Sequence, residues 1–177
     1  MEKMQEKTTQ EAALRILLIE DSDTDAFVLQ RMIQDNMKNT QCTRVTTLKA
    51  GEAILEKGEI DLLFLDLGLP DTATPSDTYA RIKKWAHKFP IIIMTSLKDH
   101  DLARTMVHEG AADFLNKDSL IDNPGHVQQA IDFSVERHSL HKKLLSEKEK
   151  EIQDSKEEKD QMLRCFMGGY SMDSEKK

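Results

Sequence analysis

Polar side chains of a few recurring types stand at the ends of apolar runs in this chain. RILLIE (15–20) ends on Glu20, with Asp21 next, and DLLFLD (61–66) ends on Asp66. IIIMTS (91–96) ends on Thr95 and Ser96, and ADFLNK (112–117) ends on Lys117. A lone Asp after an apolar run commonly caps a turn. Three acids, a hydroxyl and a lysine at equivalent ends of four runs suggest a shared task. If the runs are parallel strands, their carboxyl ends meet along one edge, where α/β sheets place ligands. Carboxylates gathered there repel one another, and a hard cation with oxygen ligands relieves the repulsion. Magnesium fits, because it accepts one or two carboxylates and keeps several waters. A lysine and a hydroxyl facing the same point suit the oxygens of a phosphoryl group.

The elements needed to position these residues are legible. Five short strand candidates, RILLIE, RVTTL (44–48), DLLFLD, IIIMTS and ADFLNK, alternate with amphipathic segments near 24–38, 49–57, 76–88 and 98–109. A further helix begins near 124. Thr74-Pro75 and Asn123-Pro124 read as N-caps followed by proline in the first helical turn. Gly58 and Gly110 fall where a helix end calls for a left-handed residue. This alternation predicts an α/β fold, a doubly wound, mostly parallel five-stranded sheet covered on both faces. IIIM and LLFL are apolar enough for central strands, and RVTTL suits an edge.

Composition narrows the function further. The 177 residues suffice for one domain with a full core plus an appendage. A net charge of −7 argues against general nucleic-acid binding, which needs a basic face. No apolar run approaches a membrane span and no signal-peptide core is present, so a cytoplasmic protein without membrane contact is expected. Cys42 and Cys165 lack metal-ligand spacing, the six histidines form no ligand pattern, and Ser22 and Ser96 have no nucleophilic triad.

As a set, LLIEDSDTDA, LLFLDLGLP, PIIIMTS and GAADFLNKD, in this order, resemble the receiver domain of bacterial two-component response regulators. The resemblance covers roughly residues 14–138 and implies a flavodoxin-like sheet of order 2-1-3-4-5. It implies that Asp66 is the phosphoacceptor, phosphorylated by a sensor histidine kinase. Magnesium would be held by Glu20, Asp21, Asp66 and the backbone carbonyl of Gly68. Thr95 and Lys117 would bind the phosphoryl group, and Thr95 with Phe114 would form the switch. Such a chain is a phosphorelay switch rather than an enzyme. A magnesium-dependent phosphohydrolase with an aspartyl nucleophile commonly carries a second acid two residues on, where Gly68 stands here. A receiver-like scaffold that takes no phosphate is disfavoured by the complete set of site residues.

Three departures from the family pattern stand out. Asp118 replaces the usual proline after the lysine, which is expected to loosen the loop that follows. PDTATPSDT, after the third strand, lacks a common glycine and is one residue longer. No second globular segment follows, so output is expected through protein–protein contacts. Residues 1–13 are expected to be loose, and residues 139–166 to form a charged helix that resembles linkers preceding sensor, kinase or cyclase domains. Residues 167–177 are expected to be disordered. Stepping by seven from Ile131 gives His138, Leu145, Ile152, Lys159 and Phe166, a half-apolar seam that allows a weak coiled coil or homodimer.

Overall fold

The structure, a computed structural model, describes residues 12–96, 100–123 and 125–168. Leu97, Pro124, nearly all of the expected loose N-terminus and most of the expected tail lie outside the described residues. The chain divides into two compact units, Met1–His138 and Ser139–Lys177.

In the first unit five parallel strands are ordered β2-β1-β3-β4-β5. They are β1 (Leu14–Ile19), β2 (Thr40–Val45), β3 (Leu62–Asp66), β4 (Ile91–Thr95) and β5 (Asp113–Asn116). Every residue of β3 and β4 is buried, as expected for strands covered on both faces. Alternate residues feed two cores. Leu17, Ile19, Leu63, Leu65, Ile91 and Ile93 pack with residues of α2 (Leu48–Leu55), α3 (Pro75–Ile82) and α4 (His100–His108). Ile16, Leu18, Phe64, Ile92, Met94 and Leu115 pack with α1 (Asp23–Asn36) and the start of α5 (Gly125–Gly168).

Local signals set the ends of these elements. Ser22, Thr47 and Thr74 cap α1, α2 and α3 by accepting the N–H groups of Asp25, Ala50 and Asp77. Pro75 opens α3, and Gly58 and Gly110 have the positive φ expected of them. The second strand differs from its expected position. It occupies 40–45, not 44–48, because the Thr47 hydroxyl caps α2 and Leu48 begins that helix. The apolarity of RVTTL belongs partly to a helix start, whereas the true edge strand TQCTRV is mixed in polarity.

The irregular stretch after β3 is held by side-chain oxygens. Thr78 is fully buried, and its hydroxyl, 3.2 Å from each of the Leu67 and Thr74 carbonyls, shares its one proton between them. It also lies 2.7 Å from the Thr72 hydroxyl, which donates to the Leu69 carbonyl. The Asp71 carboxylate accepts the N–H groups of Leu48 and Lys49, both at 2.9 Å, and so ties this loop to the start of α2.

In the second unit, residues 139–168 continue helix α5, so Met167 and Gly168 of the expected tail are helical. Leu140, Leu144, Leu145, Ile152, Met162, Leu163 and Phe166 are exposed there. Ile131, the first residue of the proposed seam, is instead buried in the sheet core. The seam therefore cannot begin there. Among the described residues no helix is long and apolar enough to cross a membrane.

The Asp71 cap has a defined pH signature. Partial burial opposes its ionisation, but the Lys49 and Leu48 N–H groups outweigh that and hold its pKa below the ordinary value. A depressed carboxylate pKa adds stability above the unfolded value, and this is lost as pH falls through the folded one. Asp71→Ala should cost about 1 kcal/mol at pH 7, as losses of helix caps do. Urea unfolding should show the difference narrowing below about pH 4.

Candidate phosphoacceptor and cation site

Sheet register brings the predicted residues together. Ile19 pairs with Leu65, so Glu20, one residue beyond, is level with Asp66 at the end of β3. Asp66 pairs with Met94, and Thr95 pairs with Asn116, the residue before Lys117. An open cavity of about 440 Å³ at this edge is lined by Asp66, Gly68, Thr95, Ser96 and Lys117, among others. Glu20, Asp66 and Thr95 are buried, whereas Asp21 is exposed.

Lys117 organises the charges. Its Nζ lies 2.6 Å from Glu20 Oε2, 3.1 Å from Asp25 Oδ2 and 3.2 Å from Asp66 Oδ1. Burial alone would push the ammonium towards neutrality. The Glu20 contact and the charge of Asp66 outweigh it, and the lysine pKa ends above its ordinary value. Glu20 is fully buried, and that burial raises its pKa although the Lys117 contact pulls it down. A carboxylate sealed from water next to a second acid calls for more positive charge than one shared ammonium brings.

The donor set fits a hard cation. One carboxylate oxygen from each of Glu20, Asp21 and Asp66 lies within 4.8 Å of the others. All three donors are oxygens, and the exposed Asp21 leaves room for water ligands. That combination suits magnesium better than softer metals. Gly68 is exposed beside them, and a Cβ placed there would stand 3.5 Å from Asp66 Oδ2. Phe114 is half-buried and packs against the core beneath α2–α4.

Two contributors escaped the sequence reading. Arg44, at the end of β2, donates to the Glu20 carbonyl at 2.9 Å and the Asp21 carbonyl at 3.0 Å. It also pairs with Asp23 at 2.7 Å, so a single guanidinium clamps the backbone that carries both acids. No local motif marks it, since its partners lie more than twenty residues away. Asp25 is the second. The alternating acids of EDSDTD were its only signal.

The loop after Lys117 opens on a short helical turn. Lys117–Ser119 forms a 3₁₀ turn in which Asn116 Oδ1 accepts the Asp118 N–H at 2.8 Å. Proline has no such N–H, so the departure at 118 supplies the turn's own cap.

Comparison with known proteins agrees with this geometry. The family described as the response regulator receiver domain matches residues 16–131. The two-component response regulator ORR3 of Oryza sativa subsp. indica is 30% identical over 120 residues, covering 64% of this chain and 87% of that protein. The transcriptional regulatory protein BasR of Escherichia coli (strain K12) is 33% identical over 105 residues, covering 59% of this chain and 46% of BasR. Among solved structures, the signal receiver domain of a Luxo repressor protein from Vibrio parahaemolyticus superposes with a TM-score of 0.64 at 26% identity. It covers 75% of this chain and 97% of that one. A CheY-like receiver domain from Methanospirillum hungatei JF-1 shares the fold, with a TM-score of 0.63 at 17% identity, over 73% of this chain and 99% of that one. With its matching strand order and its edge of acids, hydroxyl and lysine, this chain belongs to the response regulator receiver domain family of two-component systems.

Proposed function

We propose that this protein is a phosphorelay switch that accepts a phosphoryl group from a sensor histidine kinase on Asp66. The observation that carries this reading is the placement of Lys117 Nζ, 3.2 Å from Asp66 and 2.6 Å from Glu20, in a cavity that Thr95 also lines. In the transfer, an Asp66 carboxylate oxygen attacks phosphorus and a new P–O bond forms. The bond from phosphorus to the donor's nitrogen breaks, and its electron pair leaves with the donor. Lys117 and the Thr95 hydroxyl bind the phosphoryl oxygens, so the protein chiefly positions the group and neutralises its charge. Magnesium held by Glu20, Asp21, Asp66 and the Gly68 carbonyl would supply charge neutralisation at the reacting oxygens.

In this reading residues 14–138 are the receiver and residues 139–166 a helical extension. Thr95 moves towards the phosphoryl group, and Phe114 turns inward to follow it. The output is a protein–protein contact in the cytoplasm, and exposed Leu145, Ile152 and Phe166 could support only a weak homodimer. A small phosphodonor such as acetyl phosphate tests the assignment directly. Labelling should require magnesium and vanish in Asp66→Asn, with the circular dichroism spectrum unchanged. Full labelling of that variant would place the acceptor elsewhere.

The lifetime of the phosphorylated form follows from Gly68. Hydrolysis needs a water held in line with the Asp66–phosphorus bond, and glycine offers no side chain to hold it. A Cβ at 68 meets the Asp66 carboxylate at ordinary contact distance, so a longer polar residue there would sit beside the reacting atoms. The second flanking position, two residues after Thr95 in sequence, is Leu97, whose apolar side chain type can only exclude water, so intrinsic dephosphorylation should be slow. Gly68→Asn with Leu97→Glu should accelerate it roughly tenfold to a thousandfold in a phosphate-release assay, the usual range for an orienting group. Loss of the phosphate within seconds in the unmodified protein would overturn this.

A further inference from the structure

The third partner of Lys117 has no role in the function proposed above. An ammonium carries three N–H donors, and Lys117 already faces three carboxylates, those of Glu20, Asp25 and Asp66. A phosphoryl oxygen arriving on Asp66 must therefore displace one of them or share its donor. Their costs of release differ. Glu20 is 0% exposed, and without the lysine it would keep a buried, uncompensated charge. The Asp66 contact lies on the phosphorylated residue itself. Asp25 is 39% exposed, so water can take over its oxygens cheaply.

Backbone geometry makes that release consequential. Asp25 sits in the first turn of α1, where its N–H donates to the capping Ser22 hydroxyl at 3.3 Å. Its carboxylate reaches across 92 residues of sequence to a lysine that begins the turn after β5. The contact is a tie between the start of α1 and the far side of the site.

We propose that Asp25 is a positioning residue, the partner that Lys117 exchanges for the phosphoryl oxygen, so that phosphorylation unties the first turn of α1 from the end of β5. This rests on Asp66 being the phosphoacceptor. The number of lysine contacts is conserved in the exchange. A group carrying nearly two charges at neutral pH replaces a half-exposed carboxylate carrying one. Until then Asp25 competes for the lysine and holds phosphorylation back.

Beryllofluoride, which mimics a phosphoryl group on a carboxylate, tests this by calorimetric titration in magnesium buffer, without any turnover. The unmodified protein should bind it and Asp66→Asn should not. Asp25→Asn, which keeps the shape but removes the charge, should bind it roughly two- to fivefold more tightly, the scale of a half-exposed ion pair. Asp25→Glu should restore weaker binding. Asp118→Asn should leave affinity unchanged, because it removes a charge next to Lys117 in sequence that is not one of its partners. Urea midpoints establish that each variant is folded, and Asp25→Ser serves the same comparison if Asp25→Asn is not. Unchanged or weaker binding by the folded Asp25 variant, or equal tightening by Asp118→Asn, would overturn the exchange alone. Absence of binding by the unmodified protein would overturn both the exchange and the assignment of Asp66.

Discussion

A buried carboxylate beside a second one stays ionised only with a cation nearby, and the site is arranged around that constraint. Parallel strands aim their carboxyl ends the same way, so acids at the ends of β1 and β3 are forced into proximity by hydrogen-bond register alone. Lys117 answers with one ammonium for three carboxylates. The shortfall of positive charge suits the edge to a hard cation and, in the function proposed above, to a phosphoryl group.

Holding such an edge open requires support that lies outside the charged residues. Arg44 fixes two carbonyls of the acidic loop, Thr78 anchors the loop after β3, and Asn116 closes the turn that begins with Lys117. Each is a side chain bonding backbone that no strand or helix can satisfy. The turns that carry Glu20, Asp21, Gly68 and Lys117 are thus each held by a side-chain bond. Electrostatic binding works best under that condition, because little reorganisation is left for the moment of reaction.

Much of this was legible from residue order. The apolar runs of β3 and β4 are continuous because both sheet faces are covered, and the acids, hydroxyl and lysine at their ends were visible as polar stops. The caps at Thr74 and the glycines at 58 and 110 read correctly because their signals span only three or four residues. β2 was misplaced because an edge strand has little apolar signature, while Thr47 and Leu48 borrow the look of a strand for a helix start. Arg44 and Asp25 stayed hidden for a different reason. Their partners are brought close only by strand pairing and by the return of α1 over the sheet. No local window contains them.

The sheet also distributes its stiffness unevenly. β3 hydrogen-bonds to strands on both sides, so the amide at Asp66 can exchange with solvent only when much of the fold opens. β5 has four residues and one neighbour, and the helical turn after it is held by the Asn116 cap, by the Ser119 hydroxyl donating to the Asn116 carbonyl and by the Leu120 N–H on the Lys117 carbonyl. Phe114 lies on that edge strand, and Lys117 begins the turn that follows it.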